Sequence, residues 1–141
     1  MKGGHVLTFP GTRAGFVRAF ADLRRALDTW DLQPRARYNC ELVFEEVVTN
    51  IIKHGYKDDR EHRIEVRVDR PGGAIVLRFD DDAAPFDPLQ HRPAVEPSAS
   101  ILDTPIGGRG LVLLRNAAER LQYERTPDHR NRLTVTIAAR A

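Results

Sequence analysis

Residues 41–56 read ELVFEEVVTNIIKHGY, and Cys40, Val43, Phe44, Val47, Val48 and Ile51 carry apolar side chains at steps of three, one, three, one and three. That spacing is one buried stripe of an α-helix. Pro34 suits the first turn of such a helix and Gly55 its stop. Along the same helix Glu46, Asn50 and His54 stand four apart and form a single polar row, with Thr49 and Lys53 beside it. A solvated helix face normally uses good helix formers and Glu-to-Lys pairs at i, i+4, whereas here Glu46 is followed by Asn50, Glu45 by Thr49 and Thr49 by Lys53. Asn and Thr each cost only about half a kcal/mol relative to Ala, so a plain surface and a functional site both remain open. As a site, the row has a definite chemistry. A carboxylate one turn from an amide oxygen can orient or deprotonate a hydroxyl, and the amide can ligate a hard cation such as Mg²⁺. Zinc is a poor match, because His54 has no second His or Cys at ligand spacing and His5, His62, His91 and His129 are scattered as surface histidines usually are.

Upstream, HVLTF at 5–9 reads as a short strand closed by Pro10-Gly11. Phe16, Phe20, Leu23, Leu27 and Trp30 then mark a first helix over roughly 12–30, broken by DLQP at 31–34. Downstream, Ile64, Val66 and Val68 alternate, as do Ile75, Leu77 and Phe79, and PGG between them predicts an antiparallel hairpin. Residues 83–110 lose periodicity and hold five prolines and three glycines; a loop of that length in a compact domain is usually functional or disordered. Leu111, Leu114, Ala118 and Leu121 return to helical spacing, and QYERT, the turn PDHRN and LTVTIAA predict a last hairpin. The order implies an α/β two-layer sandwich: a mostly antiparallel, mixed sheet covered on one face by about three helices.

The 141 residues suit a single domain, with room for a sizeable core but not for a second one. Against 20 acidic residues, 22 Lys and Arg leave a formal charge of +2, poor support for nucleic-acid binding. The lone Cys40, set among apolar residues, reads as a buried structural thiol and permits no intramolecular disulfide. The first residues lack the apolar run of a signal peptide and no stretch reaches the roughly 18 apolar residues of a membrane span, so a cytoplasmic protein that does not engage a membrane is expected.

Both ends of the long loop are chemically marked. Asp80, Asp81 and Asp82 crowd a strand end, either as a solvated turn or as part of a binding site. Gly107, Gly108, Arg109, Gly110 and Leu111 lead into a helix, where backbone N–H groups can hold phosphate. This GGRGL is neither a P-loop nor a dinucleotide-binding fingerprint.

Taken in order, EEVVTNIIKHGY, DDDAAPFDP and GGRGLVLLRNAAERLQYER resemble the three boxes of the small anti-sigma-factor serine/threonine kinases of the GHKL (Bergerat-fold) ATPase superfamily, over about residues 41–137. The resemblance implies ATP and Mg²⁺ as cofactors. It implies that Glu46 activates the attacking hydroxyl, that Asn50 ligates Mg²⁺, and that Asp81 accepts from the adenine amino group. Ala83, Pro85 and Phe86 follow in the adenine box, Gly107 to Leu111 line the phosphate end, His54 supports the pocket, and about 87–107 form the lid. The partners so implied are a sigma factor, a STAS-type antagonist as phosphorylation substrate, and a second copy in a homodimer. Ala83 stands where the family usually has glycine, which crowds a backbone approach or demands an unusual φ. The family often draws a threonine from a late strand; Thr134 alternates with the apolar Leu133, Val135 and Ile137 and is expected to face away.

Three other readings compete with the kinase. A regulatory module that holds nucleotide without transferring phosphate is the main rival. The ATP-binding part of a sensor histidine kinase is disfavoured because the first helix carries no histidine, and a nucleic-acid binder lacks a basic stripe interleaved with aromatics.

Overall fold

The computed structural model describes residues 4–56, 60–88 and 106–138, of which Gly55 and 106–111 are described by their backbone alone. In chain order, β1 (His5–Pro10) leads to α1 (Arg13–Asp28) and α2 (Pro34–Asn50), which ends in a π-helical turn, Ile51–Gly55. The hairpin β2 (Arg63–Asp69) and β3 (Ala74–Asp81) follows, then α3 (Ile106–Ala117) and the hairpin β4 (Arg120–Arg125) and β5 (Asn131–Ala138). The sheet order is β1-β2-β3-β5-β4, and among the described residues every pairing is antiparallel, in keeping with the mostly antiparallel sheet expected. The three helices share one side: α1 packs on β1 and α2, and α2 on β3, β5 and α3.

Local chemistry explains these elements. Thr12 caps α1, its hydroxyl accepting from Gly15 N at 3.0 Å. Gly15 lies so close to the Pro10 carbonyl that a Cβ there would come within 2.1 Å of the oxygen. Gly72, at φ 64°, makes the turn between β2 and β3, a conformation that glycine adopts without strain. Period-two alternation puts Ile64, Val66, Val68, Ile75, Leu77, Phe79, Leu133, Val135 and Ile137 against the helices, all buried. Phe44 of α2 is the aromatic centre of that core, its ring 6.0–6.2 Å from those of Phe9, Phe16, Phe20 and Phe79. Cys40 is wholly buried beside it on α2, and burial pushes its thiol pKa up to about 12, the behaviour of an inert packing residue.

Two helices differ from expectation at their ends. α2 stops at Asn50 rather than running as an α-helix to Gly55, and Thr49 Oγ1 bonds back to the Glu45 carbonyl at 2.6 Å just before the change. Such back-bonding competes with the helix and often bends it. α3 begins at Ile106, so the glycines of GGRGL lie inside its first two turns and not before it. It ends at Ala117; Leu121, in phase with its apolar stripe, belongs instead to β4 opposite Val135.

Candidate functional site

Where the C-terminal end of α2 faces the end of β3, the fold opens a mostly apolar cleft of about 580 Å³ including the open solvent at its mouth. Val47, Asn50, Ile51 and His54 form one wall, and Phe79, Asp81 and Leu133 of the sheet form the floor. Leu114, Tyr123 and Asn131 complete the inside, while Ala83, Ala84, Phe86 and Pro88 follow the rim beyond β3.

The three consecutive aspartates divide their work because a strand turns successive side chains to opposite faces. Asp80 points to the open face of the sheet, buried, where Arg132 Nε and Nη2 donate to its two oxygens at 3.0 and 3.1 Å and Arg78 lies at 3.5 Å. Asp81 continues the inward phase of Ile75, Leu77 and Phe79 and is buried at the cleft. Its Oδ1 accepts from Asn131 Nδ2 at 3.0 Å and from Ala83 N at 2.9 Å. Asp82 is more exposed and meets His62 Nδ1 at 3.0 Å. A simple solvated turn is therefore excluded. His62 is also a correction: it is buried, stacked on Tyr56 with ring centroids 4.0 Å apart, and not a surface histidine.

Electrostatics at the floor are set mainly by burial. Desolvation raises the Asp81 carboxyl pKa, and the donors Asn131 and Ala83 N act against it. In its ionised form, a carboxylate held by such donors in an apolar cleft is a strong acceptor for an N–H donor on a ligand. Ala83, standing at the position where glycine is usual, does not need a positive φ; His129 is the one non-glycine residue with positive φ among those described. Its N–H serves Asp81, its carbonyl accepts from Arg125 Nη1 at 2.9 Å, and its side chain lies buried in the rim.

The polar row of α2 is only partly gathered. Asn50 and His54 are exposed and line the cleft, whereas Glu46, half-buried one turn back, does not line it. Burial first, and then the charge of Glu45, raise the pKa of the Glu46 carboxyl. Asn50 offers an amide oxygen at the rim, a donor that Mg²⁺ accepts when phosphate oxygens and water supply the rest of its shell. Among the described residues no three His, Cys, Asp or Glu side chains converge.

Pro85 is exposed and off the cleft lining, while Phe86, half-exposed, is on it. Gly107, Gly108, Arg109, Gly110 and Leu111 belong to the start of α3, but their side-chain surroundings, like most of the segment from 87 to 107, lie outside the described residues. Thr134 stands across from Arg78 on the open face and stays off the cleft. Asn131 and Tyr123, which sequence reasoning passed over, do line it; Asn131 sits two residues before the core residue Leu133 and Tyr123 two residues after Leu121, each in strand phase, a signal that was there to find.

Comparison with known proteins places the chain in a family. Residues 9–137 match the histidine kinase-like ATPase domain family. The chain is 31% identical over 111 residues to the serine/threonine-protein kinase BtrW of Bordetella bronchiseptica, spanning 77% of this chain and 74% of that protein. Its fold superimposes on a chain of the SiaB–SiaC complex from Pseudomonas aeruginosa with a TM-score of 0.62 and 16% identity, over 94% of this chain and 88% of that one. No described helix is long and apolar enough to cross a membrane. The chain belongs to the histidine kinase-like (GHKL) ATPase family, on its serine/threonine-kinase branch.

Proposed function

We propose that residues 1–141 act as one domain that transfers the γ-phosphoryl group of ATP to a serine or threonine of a small STAS-type antagonist, and that also sequesters a sigma factor in a cytoplasmic partner switch. The observation that carries the nucleotide part is the buried Asp81 carboxylate at an apolar cleft, its Oδ1 fixed by two donors. In this reading Asp81 takes the amino group of adenine, and Val47, Ile51, Phe79 and Leu133 cover the base. Ala83 and Phe86 border it, with Pro85 beyond the rim. Asn50 holds Mg²⁺ at the phosphate end. The ion, when bound, neutralises phosphate charge. The backbone of Gly107, Gly108, Arg109, Gly110 and Leu111 faces the phosphates, and His54 shapes the rim between. Glu46 takes the proton of the attacking hydroxyl, and the segment about 87–107 closes as a lid. Phosphoryl transfer needs positioning and charge stabilisation more than covalent help, so one base, one cation and backbone donors suffice.

The partner assignment draws on the relatives. A kinase at 31% identity supports the transfer reaction, and a fold also found in a two-protein complex supports a protein partner. A homodimer completes the proposal. One observation favours the rival, a nucleotide-binding module without transfer: Glu46 is not on the cleft lining. Single-turnover incubation with γ-labelled ATP and the antagonist separates the two. Label on the antagonist is the expected result; no label, with sigma binding intact, overturns the kinase assignment in favour of the rival.

A further inference from the structure

Asn131 opens β5 as the direct cross-strand partner of Asp81, and it is buried. Its amide is gripped at both ends. Oδ1 accepts from the Tyr123 hydroxyl at 2.5 Å, from Arg125 Nη1 at 3.2 Å and from Phe86 N at 3.4 Å. Nδ2 donates to Asp81 Oδ1 and the Ala84 carbonyl, both at 3.0 Å, and more weakly to the Ala83 carbonyl at 3.4 Å. Turning the amide over would set its NH₂ against a guanidinium and its oxygen against a carboxylate, so the network itself fixes the orientation. Arg125 reinforces the arrangement by also donating to the Ala83 carbonyl. One side chain thus ties the end of β3, the segment 83–86 and the β4–β5 hairpin to a single point on the cleft floor.

We propose that Asn131 is a positioning residue for nucleotide choice: by pinning Oδ1 of Asp81 it leaves Oδ2 as the acceptor that separates a purine bearing an exocyclic amine at C6 from one bearing a keto oxygen there. The proposal rests on the reading of Asp81 as the base-contacting group. Its logic is that a carboxylate can only accept, whereas a carboxylic acid can also donate. Burial drives Asp81 toward its acid form and Asn131 is the largest influence opposing it, ahead of Ala83 N. Without Asn131 the carboxyl is free to turn and to keep a proton, and a donor O–H in that place accommodates the keto purine. The loss should therefore fall mainly on ATP and little on GTP. Both Tyr123 and Arg125 act one step further out, by holding the amide.

The test is calorimetric titration of the full chain with ATP and with GTP, using Asp81→Asn, Asn131→Ala, Asn131→Asp and Tyr123→Phe. Asn131→Ala is expected to weaken ATP about tenfold or more, the usual cost of a hydrogen bond to a charged group, and to shrink the ATP/GTP affinity ratio. Tyr123→Phe removes only a hydroxyl, leaves the packing of the ring in place, and should shrink the same ratio less. Asn131→Asp sets two carboxylates together that cannot both ionise at close range. It should lose ATP at pH 8 and regain it toward pH 6, where one shared proton restores a hydrogen bond between them, whichever carboxyl carries it. Asp82, Arg130 and Tyr56 around Asp81, and Arg125 and Tyr123 around residue 131, shift that transition. Because His54 and His62 are present in both proteins, wild type at the same two pH values is the reference. That reversal also requires a folded protein, so it decides the matter even if Asn131→Ala does not fold. Variants that lower the melting temperature without moving the ATP/GTP ratio or the pH profile overturn the inference. If Asp81→Asn loses ATP while the Asn131 variants keep wild-type affinities, this inference alone fails; if Asp81→Asn binds ATP like wild type, it fails together with the reading of Asp81.

Discussion

Replacing Asp80 and Asp81, one at a time, by asparagine should separate stability from nucleotide binding. Asp80 holds the two N–H groups of Arg132 at 3.0 and 3.1 Å, and its side chain is 7% exposed against 30% for Arg132. Asp80→Asn puts an NH₂ against one guanidinium N–H, losing one charge-assisted bond and the charge that supported both. A hydrogen bond to a charged group contributes about 1.5–3 kcal/mol, and because Arg132 can recover some water we expect a loss of about 1–2 kcal/mol. For a chain of this size that is a fall of roughly 3–8 °C in melting temperature. Asp81→Asn behaves in the opposite way. Asn131 and Ala83 N can still donate to the amide oxygen at position 81, and the charge that burial disfavours is gone, so stability should hold or rise slightly. The amide NH₂, however, then stands where Oδ2 was and meets the amino group of adenine donor to donor. ATP affinity should fall at least about tenfold. Thermal melts and ATP titrations on both variants test the pair. Loss of ATP binding in Asp80→Asn at unchanged melting temperature, or wild-type binding in Asp81→Asn, would refute the assignment of the two carboxylates to opposite faces with opposite tasks.

Other consequences follow from the same geometry. Glu46→Gln should abolish phosphoryl transfer while keeping ATP affinity within about twofold, and Asn50→Ala should instead weaken Mg²⁺-ATP itself; equal single-turnover rates in wild type and Glu46→Gln would remove the base assignment. Since burial raises the Glu46 pKa, the ionised base is lost as pH falls through a value above the ordinary glutamate range, and the acid limb of the rate profile should be displaced upward accordingly. Phe44→Ala, which empties the centre of the aromatic cluster, should cost about 3–5 kcal/mol in urea unfolding, and a loss below about 1 kcal/mol would contradict the packing described.

Periodicity made most of this fold legible. The stripes of α1 and α2 and the alternation of β2, β3 and β5 are driven by one buried face each, and that is the signal a sequence carries most openly. Boundaries were harder. Leu121 kept the helical step of Leu114 and Ala118, yet pairing with Val135 in the sheet claims it for β4, a tertiary choice that local spacing cannot express. The start of α3 was hidden because Gly107, Gly108 and Gly110 are poor helix formers. At the site, Glu46, Asn50 and His54 looked equivalent as an ideal α-helical row, but Glu46 lies one turn short of the cleft and the π-turn after Asn50 shifts the phase of His54 alone, with a back-bonding threonine as its trace. The aspartate run could have been resolved further, since Asp81 keeps the phase of Phe79 and Asp80 does not. Asn131 likewise keeps the phase of Leu133. Its importance came only from the antiparallel register that sets it beside Asp81, a contact between residues fifty apart in sequence.

A crystal structure of the protein with Mg²⁺ and a non-hydrolysable ATP analogue tests the central claim most directly. The account predicts the adenine between α2 and the floor of the sheet, its amino group on Asp81 Oδ2, and the phosphates leading past Asn50 toward the first turns of α3. A nucleotide bound elsewhere, or bound in the cleft with its phosphates at Asp81, would contradict it.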